Sequence, residues 1–257
     1  MMVLFAAGMV GLATGSFLCL AVDRYQPAFT SRQWFRALLF PASRCAGCRH
    51  LLCVGDLVPI YSWCRLRGRC RYCRCKLSRR LLLTEISTAL LFSLMASVQP
   101  SFALLFFALL LSAALILLSL IDQQHFMLPD AVTLPLLWLG LLYHLLFNQD
   151  VAAAVAGALL GWLFLWLLYW GFHAVYRREG VGYGDMKLFA ALGAWCGWQA
   201  LPLIAAIAAS IGLTLFIYRA SGKEAVDWHC RQPFGPCLSL AGWAVFFWQT
   251  QTAIPLL

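Results

Sequence analysis

Charge is what this chain has least of. Of its 257 residues only 11% are Asp, Glu, Lys or Arg, whereas 63% are hydrophobic and the mean hydropathy is +0.80. Soluble domains average about 45–50% apolar and about 25% charged residues. A free-standing soluble globule is therefore excluded, and the chain reads as an integral membrane protein. It also lacks any internal repeat, which weighs against the repeat-built transporters. No Lys or Arg precedes the first apolar run, and no small-residue cleavage site follows it. That run reads as a retained helix and not as a signal peptide.

Eight apolar runs are present, near 3–22, 81–97, 102–121, 131–147, 151–175, 187–199, 201–218 and 238–256. A spanning helix needs about 20 apolar residues, so 81–97 and 187–199 are short and require local thinning of the bilayer. The expected fold is all-α and polytopic, with about eight transmembrane helices. Of the 19 Lys and Arg residues, 13 lie between Arg24 and Arg80; the others are Arg177, Arg178, Lys187, Arg219, Lys223 and Arg231. All fall on or beside the first, fifth and seventh connections. Basic loops stay on the cytoplasmic side, which puts both termini on the outer side of the membrane. The same topology accounts for the net charge of +9. Anionic lipid head groups suit such a surface, and a nucleic-acid partner is not expected.

The division expected is a first helix at 1–23, a cytoplasmic cysteine-rich insert at 24–80 and a seven-helix membrane domain at 81–257. The insert holds seven of the 11 cysteines. Cys45-x-x-Cys48 and Cys70-x-x-Cys73 stand 21 residues apart, the pattern of a tetrahedral four-thiolate zinc site. A disulfide framework conflicts with a reducing cytoplasm. Four thiolates leave no open position, so this zinc would be structural and would supply folding energy to a segment too small for a large core. Cys53, Cys64 and Cys75 read as free thiols, although Cys75 is close enough to Cys70 to compete with Cys73. His50 reads as an exposed or packing side chain.

Two carboxylates stand at one face of the expected membrane domain. Asp122 ends the run LSLIDQQHFMLPD, and Asp185 opens another in GVGYGDMKL. An ionisable group at membrane depth is costly and usually marks function. Two carboxylates sharing a site resist joint ionisation, so one stays protonated and the other charged. The charged member can deprotonate water while the neutral one polarises a carbonyl and protonates the leaving nitrogen. Gly182 and Gly184 let backbone come close to Asp185. The plain alternative is that both aspartates are helix-end carboxylates in water, with Asp185 simply favouring a helix N-terminus. Asp130 reads as an N-cap or a rival catalytic residue. Glu85 reads as a partner of Arg79 or Arg80, or as a contact for a substrate amine or cofactor. His125, Lys187 and Arg178 are candidates for tuning the site.

With these motifs assembled, the chain resembles the type IV prepilin peptidases, the leader peptidases and N-methyltransferases of the GxGD aspartyl protease class. The resemblance rests on GSFL at 15–18, CAGC with SWCRLRGRCRYC, IDQQHFMLPD, GVGYGDMKLFAALGAW, and FGP at 234–236. It implies that Asp122 and Asp185 are the catalytic pair, supported by Gly182, Gly184 and Lys187, and that Cys45, Cys48, Cys70 and Cys73 are the metal knuckles. It further implies cleavage of a basic leader after glycine, at the cytoplasmic face, in type IV prepilins or type II secretion pseudopilins. Methylation of the new N-terminus from S-adenosylmethionine would follow. Cys19 stands where the family often has Asn, Asp56-Leu57-Val58-Pro59 stands where it usually has Asp-Asn before Ile-Pro, and Leu82 and Leu83 precede Thr84-Glu85 where it has Pro before Val/Leu-Glu. These departures all lie in the half tied to methylation. No glycine-rich loop marks a methyl-donor site. A proton-coupled transporter and a non-catalytic pilus scaffold are the competing readings.

Overall fold

The computed structural model describes residues 2–252 apart from 41, 46, 54, 55, 57, 100, 148, 149, 178–181 and 222–231. Of the residues singled out above, Leu57, Arg178, Lys223 and Arg231 lie outside the described set. Among the described residues the fold is helical, without β-strands. The helices are α1 (Met2–Asp23), α2 (Ser31–Leu39), α3 (Tyr61–Arg65), α4 (Arg79–Val98), α5 (Phe102–His125), α6 (Asp130–Leu146), α7 (Val151–Tyr176), α8 (Tyr183–Cys196), α9 (Leu201–Ala220) and α10 (Gly235–Thr252), with a 3-10 turn at Trp198–Ala200. Among the described residues the eight apolar runs fall mainly on α1 and on α4 to α10. In hydrocarbon every backbone N–H and C=O must be satisfied within the segment, which is why apolar stretches of this length fold as helices. Five of them, α1, α4, α5, α7 and α9, are long and apolar enough to cross a membrane. Large side chains such as Phe102, Trp138, Leu159 and Trp248 are exposed, as on a surface that lipid covers. The protein is a multi-pass membrane protein.

The chain divides within α5 into two compact units, Met1–Leu117 and Leu118–Leu257. The first is built on α1 against α4. Gly11 and Gly15 form a GxxxG step, a spacing that lets membrane helices approach closely. A Cβ at Gly11 would lie 2.6 Å from Ala89 Cα, and one at Gly15 would lie 2.8 Å from Glu85 Cα. The sequence reading did not anticipate α2. Thr30 caps this helix in a reciprocal box with Gln33, which satisfies two otherwise orphaned donors. Its Trp34 indole donates to Ala21 O at 3.1 Å, and Arg24 reaches back to the carbonyls of Ala37 and Leu38. Glu85 departs from the reading that pairs it with Arg79 or Arg80. It is buried and accepts the Ile60 N–H at 2.8 Å, while Arg80 lies 3.9 Å from Asp23. Ile60 has φ +57, an uncommon conformation for a β-branched residue, and the Glu85 carboxylate holds that turn to the helix pair.

The second unit is organised around α8, in which Met186 and every residue from Leu188 to Cys196 are buried. α6, α7 and α10 pack on it. At about 1.5 Å per residue its 14 residues span about 21 Å, less than a ~30 Å hydrocarbon core. Gly157 and Gly161 form a second GxxxG step. Gly157 meets the backbone of Gly193 directly, and a Cβ at Gly161 would lie 2.9 Å from Phe189 O. Trp195 fills the space beside Gly140, donates to Leu136 O at 2.8 Å and stacks on Tyr143.

Gly157→Leu is expected to force α7 off α8 and destabilise the protein by at least about 1–3 kcal/mol, read as a lower melting temperature in detergent. Gly171, on the same helix, has no atom within 4 Å of its notional Cβ. Gly171→Ala should therefore be neutral or stabilising by up to about 1 kcal/mol.

Candidate active site and metal centre

Asp122 lies in the last turn of α5 and Asp185 in the first turn of α8. Both belong to the second unit, and they lie within electrostatic reach of one another. Each is held by a helix N-terminus. Asp122 is buried, and its Oδ2 accepts the Gly235 N–H at 2.9 Å. Gly235 opens α10, so this N–H is one of the donors that a helix leaves without an internal partner. Asp185 is half-buried and reaches back to the N–H of Gly182, the residue that caps α8. The positive ends of two helix dipoles therefore converge on the carboxylate pair, which favours negative charge there. The plain reading of helix-end aspartates is correct as to position. What it lacks is that the two carboxylates lie within electrostatic reach of one another.

Glycine makes the convergence possible. A Cβ at Gly235 would stand 2.8 Å from Asp122 Oδ2, and one at Gly182 would stand 3.0 Å from Asp185 Oδ2. At Gly184 a Cβ would meet Leu128 Cβ at 2.9 Å, so this glycine seats the first turn of α8 against the segment that follows Asp122. A second tie runs in parallel. Asp130 is the first residue of α6 and not its cap, and its Oδ1 receives the Lys187 ammonium at 2.6 Å. This assigns Lys187 and Asp130 to one ion pair, two residues from Asp185. Gly235 is the residue that the sequence reading quoted within FGP without giving it a task. Its N–H matters only once α10 is brought to α5, so local pattern carries no sign of it. Cys237, on the next positions of α10, also feels both carboxylates.

The cysteine insert belongs to the first unit. The sulfurs of Cys45, Cys48, Cys70 and Cys73 all lie within 4.8 Å of one another. Four thiolates about 2.3 Å from one ion would stand about 3.8 Å apart at the corners of a tetrahedron, and Cys45 and Cys73 are 3.8 Å apart. The N–H groups of Cys48 and Gly47 point at the Cys45 sulfur and bring its pKa down to about 6, which favours the thiolate that a metal needs. The donor set can hold a metal ion. The ten described cysteines are all free thiols. Cys53 lies beside the Tyr72 hydroxyl, and the His50 ring packs at a tilt against that of Tyr72. Cys75 does not stand apart from the cluster: its sulfur is 3.5 Å from that of Cys45.

Removing half of the donor set with Cys45→Ser and Cys48→Ser together is expected to abolish metal retention through gel filtration, read by elemental analysis. Limited proteolysis should then open residues 42–77 while the membrane helices stay protected.

Comparison with known proteins bears on the whole chain. Residues 9–98 match the bacterial peptidase A24 N-terminal domain, and residues 108–217 match the type IV leader peptidase family. A prepilin leader peptidase/N-methyltransferase of Aeromonas hydrophila is 39% identical over 261 residues, covering 92% of this chain and 88% of that protein. One from Pseudomonas putida is 38% identical, covering 94% and 89%. A type 4 prepilin-like proteins leader peptide-processing enzyme of Escherichia coli is 37% identical, covering 93% and 91%. No solved structure matches significantly. The two matched segments contain the GSFL, cysteine and aspartate motifs, and with relatives this similar over nearly the full length the chain belongs to the type IV leader peptidase family.

Proposed function

We propose that this protein is an intramembrane aspartic endopeptidase that removes the basic leader of type IV prepilins or type II secretion pseudopilins, cutting after a glycine. The observation that carries the reading is that Asp122 and Asp185, each beside a helix N-terminus, lie within electrostatic reach of one another. One carboxylate is charged and one protonated, and the pair titrates as a unit. The charged member takes a proton from water, and the resulting nucleophile forms a C–O bond to the scissile glycine carbonyl. The protonated member donates a hydrogen bond to the carbonyl oxygen and then gives its proton to the amide nitrogen as the C–N bond breaks. Gly235 N–H and Gly182 N–H steady the negative charge during these transfers.

The substrate's chemistry agrees with this placement. A pilin-type substrate offers an apolar helix to the bilayer and a basic leader to water, so its cut site lies at the interface. We place the active site at the cytoplasmic face of the inner membrane, with eight crossings, both termini periplasmic and residues 24–80 as a cytoplasmic insert. The distribution of Lys and Arg supports this topology. The ion held by Cys45, Cys48, Cys70 and Cys73 is zinc, in a structural role, because four sulfur donors suit it and leave no position for water. The names of the relatives support methylation of the new N-terminus, with S-adenosylmethionine supplying the methyl group.

The test is cleavage in membranes of a prepilin carrying a Gly–Phe junction, with product masses read directly. Asp122→Asn and Asp185→Asn keep size and hydrogen-bonding reach but cannot exchange the proton. Each is expected to lose about 10²–10⁴-fold in turnover. Cleavage by both variants at the wild-type rate would overturn the assignment. A product heavier by one methyl group would carry the methylation claim as well. Gly235→Ala, which crowds Asp122, should cost about tenfold or more, the worth of a hydrogen bond to a charged group. Lys187→Met removes only a half-exposed ion pair and should cost a few-fold at most.

A further inference from the structure

The cysteine insert contains more sulfur than a tetrahedral ion can use, and its two knuckles are local copies of each other. In the first, Cys45 N–H donates to His50 O at 3.0 Å, Arg49 N–H donates to Cys45 O at 2.9 Å, and Arg49 has φ +56. In the second, Cys70 N–H donates to Cys75 O at 2.9 Å, Arg74 N–H donates to Cys70 O at 3.0 Å, and Arg74 has φ +55. A bridge flanks each turn, Arg44 with Leu51 and Arg69 with Lys76. Cys75 therefore occupies in the second knuckle the place that His50 occupies in the first.

The two side chains part company there. His50 turns away and packs on Tyr72, with ring centroids 3.7 Å apart and the planes tilted by 39°. Cys75 turns inward, so that its sulfur is 3.5 Å from Cys45 Sγ, against 3.8 Å for Cys73. Both distances are close to the ~3.8 Å edge of a four-sulfur tetrahedron. Cys73 is exposed and Cys75 is only partly so.

We propose that Cys75 is an alternative fourth ligand that can take the place of Cys73 around a borderline-soft divalent ion. In the exchange the Cys75 thiol releases its proton to water as its sulfur bonds the metal. The Cys73–metal bond breaks and the freed Cys73 thiolate takes up a proton from water, so no oxidant or reductant is required. The more exposed ligand then has a reserve, and the site keeps four sulfurs when Cys73 is alkylated or otherwise blocked. This inference rests on the metal reading of the cysteine cluster but not on the peptidase reading.

The test uses the full chain, loaded with zinc in detergent and passed over a desalting column in the presence of a competing chelator. Wild type, Cys73→Ser and Cys75→Ser should each retain about one zinc per chain, and the Cys73→Ser/Cys75→Ser double variant should retain none. Wild type without zinc would overturn the metal reading itself. Zinc in wild type with Cys73→Ser as empty as the double variant would overturn only the exchange. Should Cys73→Ser fail to fold, maleimide labelling of the zinc-loaded wild type decides. Label on Cys73, whether alone or shared with Cys75, supports the exchange, and label confined to Cys75 overturns it.

Discussion

A carboxylate beside hydrocarbon must be given partners by the protein, and this requirement organises the second unit. Asp122 is buried and accepts the Gly235 N–H at 2.9 Å. That N–H is available because it opens a helix, and the chain elsewhere offers few charged groups that could serve instead. α10 therefore has to end its approach at α5, and α8 has to begin where Asp185 can reach the N–H of its own cap. The arrangement supports one negative charge at low cost and makes two expensive, the condition under which a carboxylate pair divides into a base and an acid.

Close approach follows from the same economy of atoms. Gly182, Gly184 and Gly235 each stand where a Cβ would fall about 3 Å or less from Asp185, Leu128 or Asp122. Away from the site, Gly11 and Gly15 on α1 and Gly157 and Gly161 on α7 bring backbones together in the same way. Lipid is as apolar as leucine, so burial of apolar surface gives helices no reason to prefer each other over the bilayer. Packing at close range supplies that preference. The buried carboxylates and the glycine contacts are thus two answers to one solvent. The insert is too small for a large core, and what it gathers instead is a cluster of thiols that can hold a metal ion.

Much of this was legible in the residues. Among the described residues each of the eight apolar runs falls mainly on a helix, because helical hydrogen bonding is the answer available to any long apolar stretch. The four cysteines gather as their spacing implied, because a CxxC turn folds its two thiols together whatever surrounds it. The helix α2 was missed, although Thr30 and Gln33 form a capping box at its start. It is short and polar, and its register is set by Trp34 docking under α1, a contact that periodicity does not report. Glu85 was misread as a partner of arginine because charge suggests charge, whereas its partner is the backbone N–H of Ile60.

The sequence by itself determined the solvent, the apolar helices and the residues of the aspartate and cysteine motifs, since apolar content, the GxGD and CxxC spacings and the motif order are local properties. Only the tertiary structure decided which groups meet. Gly235 lies far along the chain from Asp122, and Lys187 far from Asp130, and each pair forms because α8 draws α6, α7 and α10 around itself. The inward turn of Cys75 is of the same kind. It depends on Cys45, which a separate knuckle carries, and no local rule of spacing relates the two. Interactions between residues close in sequence are governed by backbone geometry that a pattern can express, whereas those between distant residues are governed by packing, which a pattern cannot.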